Sequence, residues 1–274
     1  MRLRSLLYVP AHRPRFVAKA PSSGADAIIL DLEDSVPEAE KDAARDGLGG
    51  IVAAVRAHGA SVFVRINAGA RSREDALTAC RAGADGLLVP KVASTDTVET
   101  VAGWLALEGL GKEDRFLGCI ALFETVASLP LAVEIARSRH VLGLALGGED
   151  LALDLGASPV PDVLRLPKLL VHFAAKGAGK LSFGLLQSVA DYADIERLSA
   201  AAAEARMHGF DGATCIHPSA VPVLNEAFDW TPAERDWAAR VVAASAGASG
   251  PFTVDGRMVD APVLARARTI LGIR

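Results

Sequence analysis

The sequence predicts an α/β fold, a TIM (β/α)8 barrel followed by a C-terminal helical extension and lid. Eight short apolar or β-branched runs alternate with segments of helical periodicity, which calls for a parallel sheet closed on itself. Most of those runs break off into charged residues, as strand ends do at a barrel mouth, and the helix-like segments are rich in Ala, Leu and Val. Residues 1–220 are expected to form the barrel core, and 221–274 the C-terminal helices and lid segment of the same domain.

The elements follow in order. Leu3 to Val9 reads as the first strand, and Pro10 to Pro14 breaks it before a short helix from Arg15 to Ala20. Ala27 to Leu30 is the second strand, and Pro37 to His58 one helix that Gly59 ends. Strands from Ser61 to Asn67 and from Asp85 to Lys91 flank a helix from Glu74 to Ala82. A helix from Thr97 to Leu107 precedes a fifth strand, Arg115 to Phe123, and a helix from Leu131 to Ala136 precedes the sixth, Val141 to Leu146. Gly147 to Leu151 follows that strand. A helix from Val163 to Lys176, a weak strand from Leu181 to Leu185, an Ala-rich helix from Asp194 to Met207 and a strand from Gly212 to Ile216 complete the barrel. Helices from Ser219 to Phe228 and Pro232 to Ala244, the Gly/Ser/Ala-rich Ser245 to Pro251 and a closing helix make a tail that reads as hinge plus lid. An open doubly wound sheet is the alternative, although no Gly-x-Gly-x-x-Gly or phosphate loop supports its nucleotide-binding form.

With 51% hydrophobic and 23% charged residues and no low-complexity tract, the chain belongs with folded globular proteins. A net charge of −4 without a basic tract argues against nucleic acid or a membrane surface as partner, so a small acidic ligand must find local cations. The opening Met1 to Pro10 is too short an apolar run for a signal peptide and no later run spans a bilayer, which predicts a cytoplasmic protein. Cys80, Cys119 and Cys215 lie far apart in apolar surroundings and read as reduced core residues.

The strand ends carry the chemistry. Asp31, Glu33 and Asp34 crowd three carboxylates into four positions, which suits either a divalent cation site or a helix start capped by Asp34 or Ser35. Glu124 and Asp150, at the ends of strands five and six beside Thr125 and Gly148, are the choice for direct metal ligands; each alone could be a helix N-terminal acid. Glu33 and Asp34 would then hold water around the ion. Without His or Cys pairs at ligand spacing, zinc is disfavoured and Mg²⁺ preferred. Arg65 can hold a substrate carboxylate in a fork, pair with the acidic cluster, or both. Lys91 reads as a structural ion pair, His217 as a hydrogen-bonded support, and Asp260 as a cap before Pro262 unless the tail folds over an active site.

The order of Ser5–Pro14, Asp31–Val36, Val64–Asn67, Val89–Lys91, Glu124–Thr125, Gly148–Leu151, Cys215–Pro218 and Asp255–Asp260 resembles citrate lyase beta-subunit-like proteins of the HpcH/HpaI aldolase superfamily, acyl-CoA lyase branch, along nearly the whole chain. The resemblance implies a Mg²⁺-dependent carbon–carbon lyase on a TIM barrel, assembled as a homotrimer or hexamer. Its substrate would be a thioester of the citryl-, malyl- or citramalyl-CoA type, cleaved to a 2-oxo acid or glyoxylate and an acyl-CoA. By the same resemblance Glu124 and Asp150 match the metal ligands, with Glu124 also at the substrate, and Arg65 the carboxylate-binding arginine. Glu33 and Asp34 match the outer-shell acids, and Arg13 and Lys19 the segment near the CoA phosphates. Asp260 matches a catalytic acid lent by a neighbouring subunit's lid. Two departures stand out: Gly209 to Thr214 lacks the family's Gly-x-Gly-Lys lysine, and Leu164 to Asp191 lacks its acidic pattern. They point to a changed CoA ester or to a class II aldolase for free 2-oxo acids; a non-catalytic subunit of a lyase complex is the third reading.

Overall fold

The computed structural model describes residues 2–111, 116–188, 193–248 and 250–273. Eight parallel strands run β1 Ser5–Pro10, β2 Ala27–Asp31, β3 Ser61–Arg65, β4 Gly86–Val89, β5 Cys119–Phe123, β6 Val141–Leu146, β7 Leu181–Phe183 and β8 Ala213–Cys215. Their order, β7-β6-β5-β4-β3-β2-β1-β8, closes through a single bridge between Phe183 and Gly212, so the TIM barrel is the fold observed. Gly212 is required at that seam, because a Cβ there would meet Leu3 O and Arg4 O, the backbone on which β8 docks.

Side-chain alternation divides the strands cleanly. Leu6, Ala27, Ile29, Phe63, Leu88, Ile120, Leu122, Ala145 and Phe183 fill the barrel interior. Their neighbours Leu7, Ile28, Leu30, Val62, Val64, Leu87 and Ala121 join the larger core beneath the helices. Both faces are buried, which is why these strands read as continuous apolar runs.

The helices are α1 Pro14–Lys19, α2 Lys41–Asp46, α3 Leu48–Arg56, α4 Ser72–Arg81, α5 Thr95–Leu107, α6 Ala132–Arg137, α7 Gly148–Leu155, α8 Pro161–Gly177, α9 Ile195–His208, α10 Ala220–Ala227, α11 Pro232–Ser245 and α12 Ala261–Leu271. One expectation is corrected here. The single helix from Pro37 to His58 is a 3₁₀ turn, Glu38–Glu40, then α2 and α3 divided at Gly47. Gly47, Gly49 and Gly50 crowd three weak helix formers into four residues, and the helix breaks at the first of them. The stretch that follows strand six, Gly147 to Leu151, is the N-cap and first turn of α7, so Asp150 is the helix N-terminal acid that the sequence allowed. Among the residues singled out from sequence, Arg115, Val189 to Asp191 and Ser249 lie outside the described residues.

The chain forms two compact units, Met1–Phe228 and Asp229–Arg274. In the second, α11 and α12 pack with the hairpin β9 Phe252–Val254 and β10 Arg257–Val259 around Ala238, Val241, Val259, Ala267 and Ile270. The turn is Asp255-Gly256, both left-handed (φ 51° and 74°), the pairing that a two-residue hairpin demands. Among the described residues no helix is long and apolar enough to cross a membrane.

Candidate active site

Strand parity decides which polar residues enter the mouth. Asp31 continues the inward series Ala27, Ile29; Arg65 follows Phe63; Glu124 follows Ile120 and Leu122; Tyr8 follows Leu6. The β2–β3 register sets Asp31 directly beside Arg65. The result is a two-toothed contact, Arg65 Nε to Asp31 Oδ1 at 2.6 Å and Nη2 to Oδ2 at 2.7 Å. Nη1 reaches Asp34 at 2.9 Å and Glu33 at 3.0 Å, and the guanidinium carbon stands 5.0 Å above the centre of the Tyr8 ring. Arg65 is therefore committed to the acidic cluster, and among the described residues the second N–H of Nη2 has no acceptor.

Burial alone would raise the Asp31 carboxyl, but the Arg65 guanidinium, the Ser35 hydroxyl and the Glu33 N–H outweigh it and hold it below the usual range. Glu33 goes the other way: burial, with Asp34 adding, raises it against the pull of Arg65 and Lys91. The backbone of this acidic loop is fixed from behind. Lys41 Nζ on α2 donates to Leu32 O, Glu33 O and Asn67 Oδ1 at 3.1, 2.6 and 2.6 Å, and buried Asp75 accepts from both the N–H and the side-chain amide of Asn67. The cap expected at Asp34 or Ser35 is not made, because Ser35 bonds Asp31 and the following turn carries no side-chain cap.

Glu124 is 2% exposed, and its Oε2 accepts the Lys91 N–H at 2.6 Å. Among the described residues Oε1 accepts no hydrogen bond. Burial pushes the carboxyl up to about 8, with Glu33 and Asp150 adding and the Lys91 N–H opposing. Gly147 makes this placement possible, since a Cβ there would lie 2.8 Å from Glu124 Cγ; Gly148 does the same for Leu164 Cδ1 at 2.9 Å. Gly147→Ala is expected to keep the fold, its backbone being extended, while displacing Glu124 and lowering turnover by about 10²-fold. Steady-state kinetics beside a circular dichroism spectrum will check it.

Asp150 and Glu149 stand in the first turn of α7, where the helix N-terminus favours anions. Ser188 Oγ–H donates to Glu149. Lys168 on α8 is 4% exposed and donates to Leu185 O and Gln187 O at 2.8 and 2.6 Å; burial brings its ammonium down to about 8 against the pull of Glu149. These groups line one cavity of about 480 Å³ in which five carboxylates (Asp31, Asp34, Glu124, Glu149, Asp150) face two cations (Arg65, Lys168), with Leu122, Leu146 and Ile216 as apolar wall.

The structure thus brings Arg65, Glu124, Asp150 and Asp34 to one cavity, with Glu33 just behind. Lys91 makes the ion pair expected of it, 3.3 Å from Glu33. Arg13 and Lys19 are exposed, at the N-cap and last turn of α1. Asp260 caps α12 in the second unit, accepting from the Val263 N–H at 3.2 Å. His217 Nδ1 lies 2.7 Å from Ser219 Oγ, a support. The sequence does not single out Tyr8, Lys168 or Ser188: Tyr8 sits in an apolar strand, Lys168 within a helix and Ser188 beyond the end of β7, and only the alternation of β1 offers a signal, one that turns Tyr8 inward.

Fold and site together define a TIM-barrel protein whose strand ends converge on an acidic, cation-seeking mouth. The HpcH/HpaI aldolase/citrate lyase model matches residues 4–218. A citrate lyase subunit beta-like protein of Mycobacterium tuberculosis is 35% identical, over 97% of this chain and 93% of its own. A (3S)-malyl-CoA thioesterase of Cereibacter sphaeroides is 34% identical, over 98% and 93%. The crystal structure of CitE from M. tuberculosis in complex with magnesium, acetoacetate and coenzyme A superposes with a TM-score of 0.78 at 34% identity, covering 98% of this chain and 96% of that one. The chain belongs to the HpcH/HpaI aldolase/citrate lyase family.

Proposed function

We propose that the protein is a Mg²⁺-dependent carbon–carbon lyase acting on a 3-hydroxy-acyl thioester of the citryl-, malyl- or citramalyl-CoA type, releasing a 2-oxo acid or glyoxylate and an acyl-CoA. The observation that carries it is buried Glu124, one oxygen pinned and one without a donor among the described residues, in a cavity where carboxyl groups outnumber basic side chains five to two. Among the described residues no three His, Cys, Asp or Glu groups stand together as a complete metal cage. That suits Mg²⁺, which takes one or two carboxylates and keeps waters or substrate oxygens. Glu124 and Asp150 would hold the ion, with Glu33 and Asp34 orienting its waters. Bound there, Mg²⁺ supplies a Lewis acid for the oxygen on the carbon whose bond is cut. The magnesium and coenzyme A named with CitE from M. tuberculosis support the same reading.

The chain's own groups then have defined tasks. The spare Nη2–H of Arg65 takes the substrate carboxylate, and Leu122, Leu146 and Ile216 line the space for the acyl carbons while limiting water. Exposed Arg13 and Lys19 suit the CoA phosphates. Asp260, lent by the lid of a neighbouring subunit in a homotrimer or hexamer, delivers a proton to the α-carbon of the departing acyl thioester. Asp260→Asn is expected to lower kcat by roughly 10²-fold while leaving Mg²⁺ binding by calorimetry unchanged.

The deciding experiment offers purified protein the three CoA esters and the corresponding free hydroxy acids, with Mg²⁺ or chelator, and follows the 2-oxo product and free CoA separately. Mg²⁺-dependent cleavage of a CoA ester alone supports the proposal. Cleavage of free acids without CoA would make it a class II aldolase, free CoA without carbon–carbon cleavage a thioesterase, and no turnover at all a non-catalytic subunit.

Metal binding also predicts a pH effect. The Glu124 carboxyl, near 8 when folded against an ordinary 4.5, keeps a proton in the metal-free folded state that the unfolded chain releases. Stability of the metal-free protein should therefore fall as pH rises from about 4.5 to about 8. Thermal melts in chelator should show that slope, and millimolar Mg²⁺ should flatten it.

A further inference from the structure

The end of β4 holds a backbone feature that the proposed chemistry does not use. In a continued β4–β5 ladder the N–H of residue 91 would donate to Leu122 O, as the Leu87 N–H donates to Gly118 O four residues earlier. Instead the Val92 N–H takes Leu122 O, at 3.2 Å. One residue is thus inserted, a bulge of the kind that re-aims a group beside an active site. Lys91 absorbs the insertion in a left-handed conformation, φ 51°, shared among the described non-glycine residues only with the hairpin residue Asp255. Its N–H, released from the ladder, donates to Glu124 Oε2 at 2.6 Å, and its Nζ stands 3.3 Å from Glu33 Oε1.

We propose that Lys91 is a positioning residue of the site: its left-handed backbone pins one oxygen of Glu124 so that the other is offered to the cavity, and its ammonium holds Glu33. This rests on the reading of Glu124 as a metal ligand, but the geometry can be tested apart from it. A lysine in this conformation carries a backbone cost that glycine escapes and a β-branched residue suffers most. Lys91→Gly and Lys91→Val both lose the ammonium, so loss of that charge cannot account for a difference between them, and their ease in the left-handed region differs most.

Crystal structures of the two metal-free variants and Mg²⁺ titration calorimetry make the test. In Lys91→Gly the bond from residue 91 N–H to Glu124 should persist, with Mg²⁺ affinity within about threefold of Lys91→Met, which also lacks only the ammonium. In Lys91→Val the bulge should relax, Glu124 should turn, and affinity should fall at least about tenfold below Lys91→Gly. If Lys91→Val does not fold, Lys91→Ala replaces it, with the same shift expected in smaller measure. Equal affinities and an unmoved Glu124 in the glycine and valine or alanine variants overturn the proposal. If the unsubstituted protein takes up no Mg²⁺, the metal reading falls, and the Glu124 position in the variant structures still decides the role of Lys91.

Discussion

Glu124→Gln is expected to lower kcat/KM by at least about a thousandfold, the loss that follows when a Lewis acid worth several kcal/mol is no longer held, at 1.36 kcal/mol per factor of ten. The amide keeps the size of the carboxyl, and its oxygen can still accept the Lys91 N–H, which turns the amide nitrogen toward the cavity. An NH₂ group there repels a cation where Oε1 would have received it. Mg²⁺ binding by calorimetry should therefore disappear together with turnover. Stability should not follow activity down. With its carboxyl pushed up to about 8, Glu124 is neutral in the metal-free protein near pH 7, so a neutral amide replaces a neutral acid. The variant should melt close to the unsubstituted metal-free protein at neutral pH, and the decline between about 4.5 and about 8 should lose the share that Glu124 contributes. A variant that still bound Mg²⁺ tightly would remove Glu124 from the site.

The barrel was legible because its strands are buried on both faces and break into charge at their ends, so composition and punctuation agree. Boundaries failed where side-chain needs overrode propensity. Gly147 and Gly148, poor helix formers, stand at the N-cap and first position of α7, because only glycine leaves room there for Glu124 and Leu164. Asp255-Gly256 carried a hairpin signal that the reading of the tail as a lid absorbed. In the candidate site the pairing of Arg65 with the acidic cluster and the ion pair of Lys91 were legible, but the particular partners and their geometry were not. Asp31 and Arg65 lie 34 residues apart and meet only through the β2–β3 register, which no local pattern reveals. Lys168 shows the limit most clearly. In the sequence it is one basic residue of a helix; its burial against Leu185 O and Gln187 O depends on how β7 ends.

Arg65→Ala should be the most destabilising single change at the site, by about 3–5 kcal/mol, since it removes the partner of a buried ion pair and leaves the charge behind. Among the described residues, Asp31, 1% exposed, then keeps the Ser35 hydroxyl, the Ser35 N–H and the Glu33 N–H as the only partners of its side chain, and Glu33 keeps Lys91. The sign of the pH dependence separates this mechanism from simple loss of packing. In the unsubstituted protein Asp31 is held below its ordinary 3.8, so its contribution is present above that pH and lost as pH falls through the lowered value. Without Arg65, burial dominates and the carboxyl rises above 3.8, so the folded variant gains stability by taking up a proton as pH falls toward the raised value. The deficit measured by urea denaturation should therefore be largest near pH 7 and shrink toward pH 5, whereas a cavity left by a lost side chain would cost the same at both. Activity should be absent throughout that range. Lys cannot replace the guanidinium, because a single ammonium cannot meet both oxygens of Asp31 and also reach Asp34. Arg65→Lys should recover part of the stability and little of the turnover, and recovery of both would show that the charge alone, without the fork, is what the site requires.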